Sequence, residues 1–547
     1  MASESLAPSK DDLQNRDQTM SSPTQRDNVP HAARGTTATP SPLSWFPLGY
    51  KEGFSQWWAS LPPAVAEHKV MSFLPYLQHE PPTHLQTGKT THLPNDEPGS
   101  LQSADHSQQG EVAINSTDDP YGPRRWRSSM VELSGKNRAL NEFSVERVGE
   151  EADQHLVMLH GYGAGLGFFY KNFEPLSRLK GWQLHALDLL GMGRSTRPAF
   201  RIKAKEREAA IQEAEAWFID ALEEWRIKRN IERFTLLGHS LGGYMAVAYA
   251  LKYPGRLNKL ILASPVGIPE DPYAVSAAMP EASDSNSQNK IAESASSVPP
   301  ETIQKGDNNI LLKGAPTSGP SDNRPPRRMV PKWFAYLWEA NISPFTLVRW
   351  AGPLGPRLVS GWTSRRFSHL PADEAKALHD YSYSIFSLRG SGEYALAYIL
   401  APGAFARSPL IRRIHGVGRQ MMQSSPSPVK QAVDNASLQS SSESPAGSDS
   451  TALAQRENGL PIVFMYGDHD WMDVKGGVAA KAKLEEEKRR ALQNATQEQR
   501  AADNGSAKVV VIKNSGHHVY LDGWEEFNRT VLSEMEDVAQ KERSRRP

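Results

Sequence analysis

Residues 235–247 read TLLGHSLGGYMAV. An apolar run ends in Gly238-His239-Ser240-Leu241-Gly242, and an apolar stretch of helical spacing follows at once. A serine held between a strand and a helix in this way is a nucleophile elbow, a turn so tight that small residues are needed two positions before and two after the serine. The helix that follows also brings its free N-terminal amides to where negative charge develops in acyl transfer. A serine that merely capped the helix 241–251 would need no flanking glycines. Ser240 is the candidate nucleophile.

Strand-like and helix-like segments alternate outward from this elbow. HLVMLHG (155–161) and WQLHALDLLG (182–191) read as buried strands. A helix is expected from Ala204 to Asn230, with apolar residues at helical spacing in AWFIDALEEW. Strand RFTLLGHS, helix LGGYMAVAYALKYP and strand NKLILASP follow. The alternation specifies an α/β fold, a mostly parallel sheet with helices on both faces. It breaks at 271–420, read as a helical cap that carries a disordered insertion at 274–328. A second serine-rich insertion spans 421–458. The pattern resumes over 459–547 with strand LPIVFMYG, a charged helix around AAKAKLEEEKRRALQNA, strand KVVVIKN and a last helix from Trp524. The first part of the core thus spans 120–270 and the second 459–547.

Composition narrows the function classes. The 547 residues carry 62 basic and 62 acidic side chains, so no global field points to nucleic acid. Cysteine is absent, which removes disulfides, thiolate catalysis and cysteine-held metals. The reading calls for no metal and no cofactor. Residues 1–40 are polar and read as disordered, and 78–119 as a linker. Between them, residues 41–77 are dense in aromatics, among them Trp45, Phe46, Trp57 and Trp58. These rings favour a membrane interface, and the segment is expected to contact a membrane, the alternative being that its aromatics, like those of the cap, cover the core or line the cap. Trp333, Phe334, Trp338 and Phe345 of the cap are candidates to continue that surface. No apolar run approaches the roughly 18 residues of a spanning helix, and no targeting signal is readable at the start.

Three further motifs complete a candidate site. LHGYGAG follows the strand at 155, and with a nucleophile elbow such a loop supplies the second oxyanion donor. The backbone amides of Tyr162 and Leu241 are the expected pair. The glycines here do not continue to the third glycine of a dinucleotide loop. An acid is expected after a late strand, and IVFMYGDHDWMD offers Asp468, Asp470 and Asp473. Spacing from the strand-ending glycine selects Asp470, while Asp473 is the alternative or the cap of the helix beginning near Val474. The base is expected after the last strand, where VVVIKNSGHH places His517 directly after a glycine and His518 beside it. In the order serine, acid, histidine, Ser240 attacks a carbonyl, His517 takes its proton and Asp470 holds the imidazole tautomer.

LHGYGAGLGFFYKNF, DLLGMGRSTRP, GHSLGGYMA, GDHDWMD and GHHVYLDGWEEFN together resemble the α/β-hydrolase family of lysophospholipases and lipid-droplet cofactors. Within it they resemble the fungal branch with a mitochondrial cardiolipin-specific deacylase and a lysophosphatidic acid acyltransferase. The resemblance covers about 41–77 and 120–540 without the insertions. It implies an α/β-hydrolase fold, a phospholipid substrate (cardiolipin or lysophospholipid) and work at a membrane surface, intracellular and mitochondrial in location. It also implies an acyltransferase motif in the pair His517 and Asp522. Helix capping explains Asp522 as well, since Asp522 and Glu525 have capping-box spacing. Hydrolysis is the leading expectation and acyl transfer the alternative. A third is a non-enzymatic protein that recruits a lipase to a lipid surface, a role taken by relatives without the nucleophile, whereas this chain keeps Ser240.

Overall fold

A computed structural model describes residues 48–75, 112–116, 119–270, 332–422 and 455–545. Trp45 and Phe46 lie outside these residues, as do residues 1–40 and nearly all of the linker and of the two insertions.

Among the described residues nine strands form one sheet, in the order β1-β2-β3-β5-β4-β6-β7-β8-β9. They are β1 (Val112–Ser116), β2 (Arg124–Glu132), β3 (Ala139–Arg147), β4 (Gln154–Leu159), β5 (Trp182–Leu187), β6 (Phe234–His239), β7 (Leu257–Ala263), β8 (Pro461–Gly467) and β9 (Ser506–Ile512). The first three pair antiparallel, and β3 runs antiparallel to β5. From β5 to β9 every pairing is parallel. Strands β6, β7 and β8 are buried along their whole length, as expected for a parallel sheet covered on both faces.

Successive side chains on a strand point to opposite faces, and the core divides accordingly. Leu236, Leu260, Leu262, Ile462 and Phe464 pack with the helices Arg207–Lys228 and Leu241–Lys252. Their neighbours Leu237, Ile261, Ala263, Val463 and Met465 pack with the last helix, Trp524–Arg545, through Phe527, Val531 and Met535. The chain runs from β4 out to β5 and then crosses back to β6 on the other side of β4. Such a reversal opens a crevice at the carboxyl ends of the strands, where ligands bind in open α/β sheets. Ser240, Asp470 and His517 all follow the carboxyl ends of strands on this side.

The cap is helical as expected, with helices Lys332–Glu339, Pro344–Trp350, Gly355–Arg366 and Ala372–Phe386 among its elements. An isolated bridge joins Met421 to Arg456, so the flanks of the second insertion meet. The aromatic amino-terminal segment is not one unit. Helix Tyr50–Ala59 buries only Gly53, whereas helix Pro63–Met71 puts Ala66, Val70 and Met71 into the same core as the last helix.

Candidate active site

The elbow is built as its glycines require. Ser240 has φ 52° and ψ −113°, a conformation that non-glycine residues rarely adopt. A side chain at Gly238 would place its Cβ 2.3 Å from the Gly242 carbonyl oxygen, and one at Gly242 would sit 2.5 Å from that of Leu159. Neither position admits more than a hydrogen.

His517 Nε2 lies 3.0 Å from Ser240 Oγ, and its Nδ1 lies 3.0 Å from Asp470 Oδ1. The carboxylate can only accept, so Nδ1 carries the proton and Nε2 is free to accept that of the serine. Burial alone would raise the Asp470 carboxyl. The hydrogen bond and charge of His517, with the Met472 amide, outweigh it and hold the group below its ordinary value. The Trp471 ring lies against His517, with centroids 4.7 Å apart.

Asp470 and His517 meet because two loops from neighbouring strands are tied together. The amides of Asn514 and Ser515 donate to the Asp468 carboxylate at 3.0 and 2.9 Å, and the His469 amide donates to the Ser515 carbonyl at 3.0 Å. The Ser515 and Asn514 amides hold the Asp468 carboxyl down at about 2. Asp473 faces elsewhere: it caps the helix Val474–Leu492 and accepts from the Lys475 amide at 2.9 Å. His518 packs near Phe168, His239 and Tyr520.

His239, the middle residue of the elbow, is fully buried and its Nε2 donates to the His517 carbonyl at 3.0 Å. Burial holds its imidazole neutral, with a pKa well below the ordinary value. It tethers the base loop to the elbow.

The two segments expected to supply oxyanion donors border the serine. Leu241 is the first residue of the helix, and Gly161 lies so close that a Cβ there would come 3.0 Å from Ser240 Cβ. Tyr162 follows it, and its ring stacks on Phe345 of the cap at 4.9 Å. The loop is held from below: His160 Nδ1 donates to the Gly161 carbonyl, and Asp188 accepts the Leu166 and Arg194 amides.

Two expectations are corrected. Asp522 does not cap the last helix: its Oδ2 accepts from the Gly516 amide at 3.1 Å. Nor is it the partner of the His517 ring, whose Nδ1 is taken by Asp470. Among the cap aromatics, Trp333 is exposed, but Phe345 stacks between Tyr162 and Phe386, and Trp338 donates to the Leu400 carbonyl from a half-buried position. Those two line the cap rather than its surface. The side chain of Phe334 lies outside the described residues. Sequence reasoning missed His239, Asp468 and Trp471 as site residues. His239 stands at the unconstrained position of the elbow, and in the sequence Asp468 reads only as a candidate acid.

An elbow serine with an imidazole and a carboxylate at the carboxyl edge of this sheet defines the serine-hydrolase class of site. The family model for the alpha/beta hydrolase fold matches residues 154–303. The chain is 31% identical over 431 residues to a 1-acylglycerol-3-phosphate O-acyltransferase of Arabidopsis thaliana, covering 78% of this chain and 75% of that protein. It is 27% identical over 411 residues to a (lyso)-N-acylphosphatidylethanolamine lipase of Homo sapiens, covering 74% and 86%. It is 26% identical over 414 residues to the 1-acylglycerol-3-phosphate O-acyltransferase ABHD5 of Mus musculus, covering 75% and 84%. The chain belongs to the α/β-hydrolase family.

Proposed function

We propose that this protein is a serine-dependent phospholipid deacylase working at a membrane surface. The observation that carries the chemistry is the hydrogen-bonded series Ser240–His517–Asp470. The lipid substrate class is supported by relatives named for acyl transfer to 1-acylglycerol-3-phosphate and for N-acylphosphatidylethanolamine lipolysis. The proposed substrate is a phospholipid of the cardiolipin or lysophospholipid type, and a mitochondrial membrane is the proposed location.

The reaction runs in two halves. Ser240 Oγ adds to the ester carbonyl while its proton passes to His517 Nε2. The oxyanion accepts from the amides of Tyr162 and Leu241. Collapse breaks the ester bond, and the imidazolium protonates the departing lysolipid alcohol. Water, deprotonated by His517, then releases the fatty acid from Ser240. If a lysophosphatidic acid hydroxyl takes the place of water, the same acyl-enzyme gives acyl transfer. That second reading is supported by the Arabidopsis relative.

Ser240→Ala should abolish hydrolysis and labelling by a fluorophosphonate probe, with a loss of at least about 10³-fold. Asp470→Asn should lose roughly 10⁴-fold, while Asp473→Asn should lose only cap stability, about 0.5–2 kcal/mol. Purified protein is assayed on defined liposomes, with lipidomics of cells carrying Ser240→Ala to choose the lipids. Full turnover by folded Ser240→Ala would refute the reading. Fractionation of cells tests the mitochondrial location.

A further inference from the structure

The four residues before His517 show an unusual regularity. The amide of Lys513 donates to Glu526 at 3.1 Å, those of Asn514 and Ser515 to Asp468 at 3.0 and 2.9 Å, and that of Gly516 to Asp522 at 3.1 Å. Four consecutive backbone donors thus end on three carboxylates, and the last of them adjoins the base. A loop held at every amide keeps one backbone path, which places the imidazole between its two partners.

Asp522 differs from the other two carboxylates in what else it touches. Its Oδ2 lies 3.9 Å from Arg366 Nη2, and its Oδ1 lies 3.4 Å from His369 Nε2. Arg366 ends the cap helix Gly355–Arg366, and His369 follows it. Among the described residues Arg366 Nε and Nη2 are buried without a hydrogen-bond partner, and this carboxylate answers the guanidinium charge at ionic range. Its contact with the base loop is to backbone and not to the His517 ring, which Asp470 already holds.

We propose that Asp522 is a positioning residue that fixes the loop carrying His517 and ties that loop to the cap. Cap and base then move together: displacing Arg366 disturbs the carboxylate that holds the amide next to His517. The five-residue spacing from His517 to Asp522 follows from one short helical turn, Val519–Asp522, which folds the side chain back onto Gly516. One imidazole, not two centres, then serves both water and an alcohol acceptor. This inference rests on the serine-hydrolase reading.

The test is steady-state hydrolysis of p-nitrophenyl butyrate by the full chain. Asp522→Ala should lower kcat about 100-fold with KM nearly unchanged, the size of effect that a misplaced catalytic group produces. Acyl transfer to lysophosphatidic acid should fall in parallel. Asp522→Asn keeps an oxygen for the Gly516 amide and should recover most of kcat. Arg366→Gln should cost kcat in the wild-type background and little in Asp522→Ala, since the two act through one contact. Asp522→Ala with full hydrolysis and lost acyl transfer would overturn the proposal in favour of a separate centre. So would Asp522→Asn as inactive as Asp522→Ala. If Asp522→Ala does not fold, Arg366→Gln is compared in wild-type and Asp522→Asn backgrounds, and equal losses in both overturn the coupling. Fluorophosphonate labelling of wild-type Ser240 separates the two readings: without labelling the hydrolase reading itself falls, whereas normal labelling that Asp522→Ala does not slow defeats only the positioning role.

Discussion

Helices Tyr50–Ala59 and Pro63–Met71 are neighbours in the chain and opposites in exposure. The first carries Tyr50, Phe54 and Trp58 at a spacing of four, and they are 72%, 50% and 75% exposed. One turn apart on a helix, these rings form a single outward stripe. The second buries Ala66, Glu67, Val70 and Met71. Glu67 is 2% exposed and meets Arg194 in an ion pair, Asn141 Nδ2 at 3.1 Å and the Tyr381 hydroxyl at 3.1 Å. Asn141 also donates to Asp188 at 2.8 Å, the residue that holds the oxyanion-loop amide of Leu166. One helix is therefore built into the site's supporting network, while the other docks on the cap through Gly53 and Gln56 and turns its rings outward. Aromatic density marked the pair as one membrane-contact segment. The difference teaches that exposed rings are concentrated on the outer helix and are not a property of the whole aromatic segment.

The sharpest way to test that division is at Glu67. Glu67→Ala removes one half of a buried ion pair and leaves Arg194 short of its partner. Breaking such a pair costs about 3–5 kcal/mol. Denaturant melts should show a fall of that order, and hydrolysis of a soluble ester should drop with it, because Asn141 and Asp188 lose a neighbour. A variant as stable as the wild type would show that this helix is no part of the core and would erase the contrast.

The same contrast explains what was legible in the sequence. Strands β4 to β8 read clearly because continuous apolar runs mark strands buried on both faces. Strands β2 and β3 did not, because their charges are paired and hidden. Arg124 is fully buried against Asp119 and Glu174, and Glu142 against His185 and Arg229. No periodicity of apolar residues announces such strands. In the site, Ser240, Asp470 and His517 were readable because each follows a strand end in a known order. The roles of His239, Asp468 and Asp522 were not, since each acts on backbone brought near only when loops of different strands meet. Glu67 was silent for the same reason: its partners stand at 141, 194 and 381.

The smallest effect on the folded enzyme, and the most selective, is expected at the outward stripe. Among the described residues no helix is long and apolar enough to cross a membrane. The proposed access to lipid is a surface contact made by the exposed rings. Trp333, Tyr336 and Trp350 of the cap are exposed as well. Replacing Tyr50, Phe54 and Trp58 together by Ala removes exposed rings and one cation–π contact, that of Arg357 over Tyr50, so stability should fall by about 1 kcal/mol at most. Each ring entering the interface contributes about 1 kcal/mol or more, and three together about 3 kcal/mol, roughly a hundredfold in partitioning. Flotation with liposomes should therefore be lost, and turnover of liposomal phospholipid with it, while hydrolysis of p-nitrophenyl butyrate stays at the wild-type rate. Trp57, half-buried on the same helix, should matter less than Trp58. A triple variant that still floats with liposomes would remove the membrane role of this helix. One that loses soluble-ester hydrolysis would make both helices structural, and the contrast between them would fail.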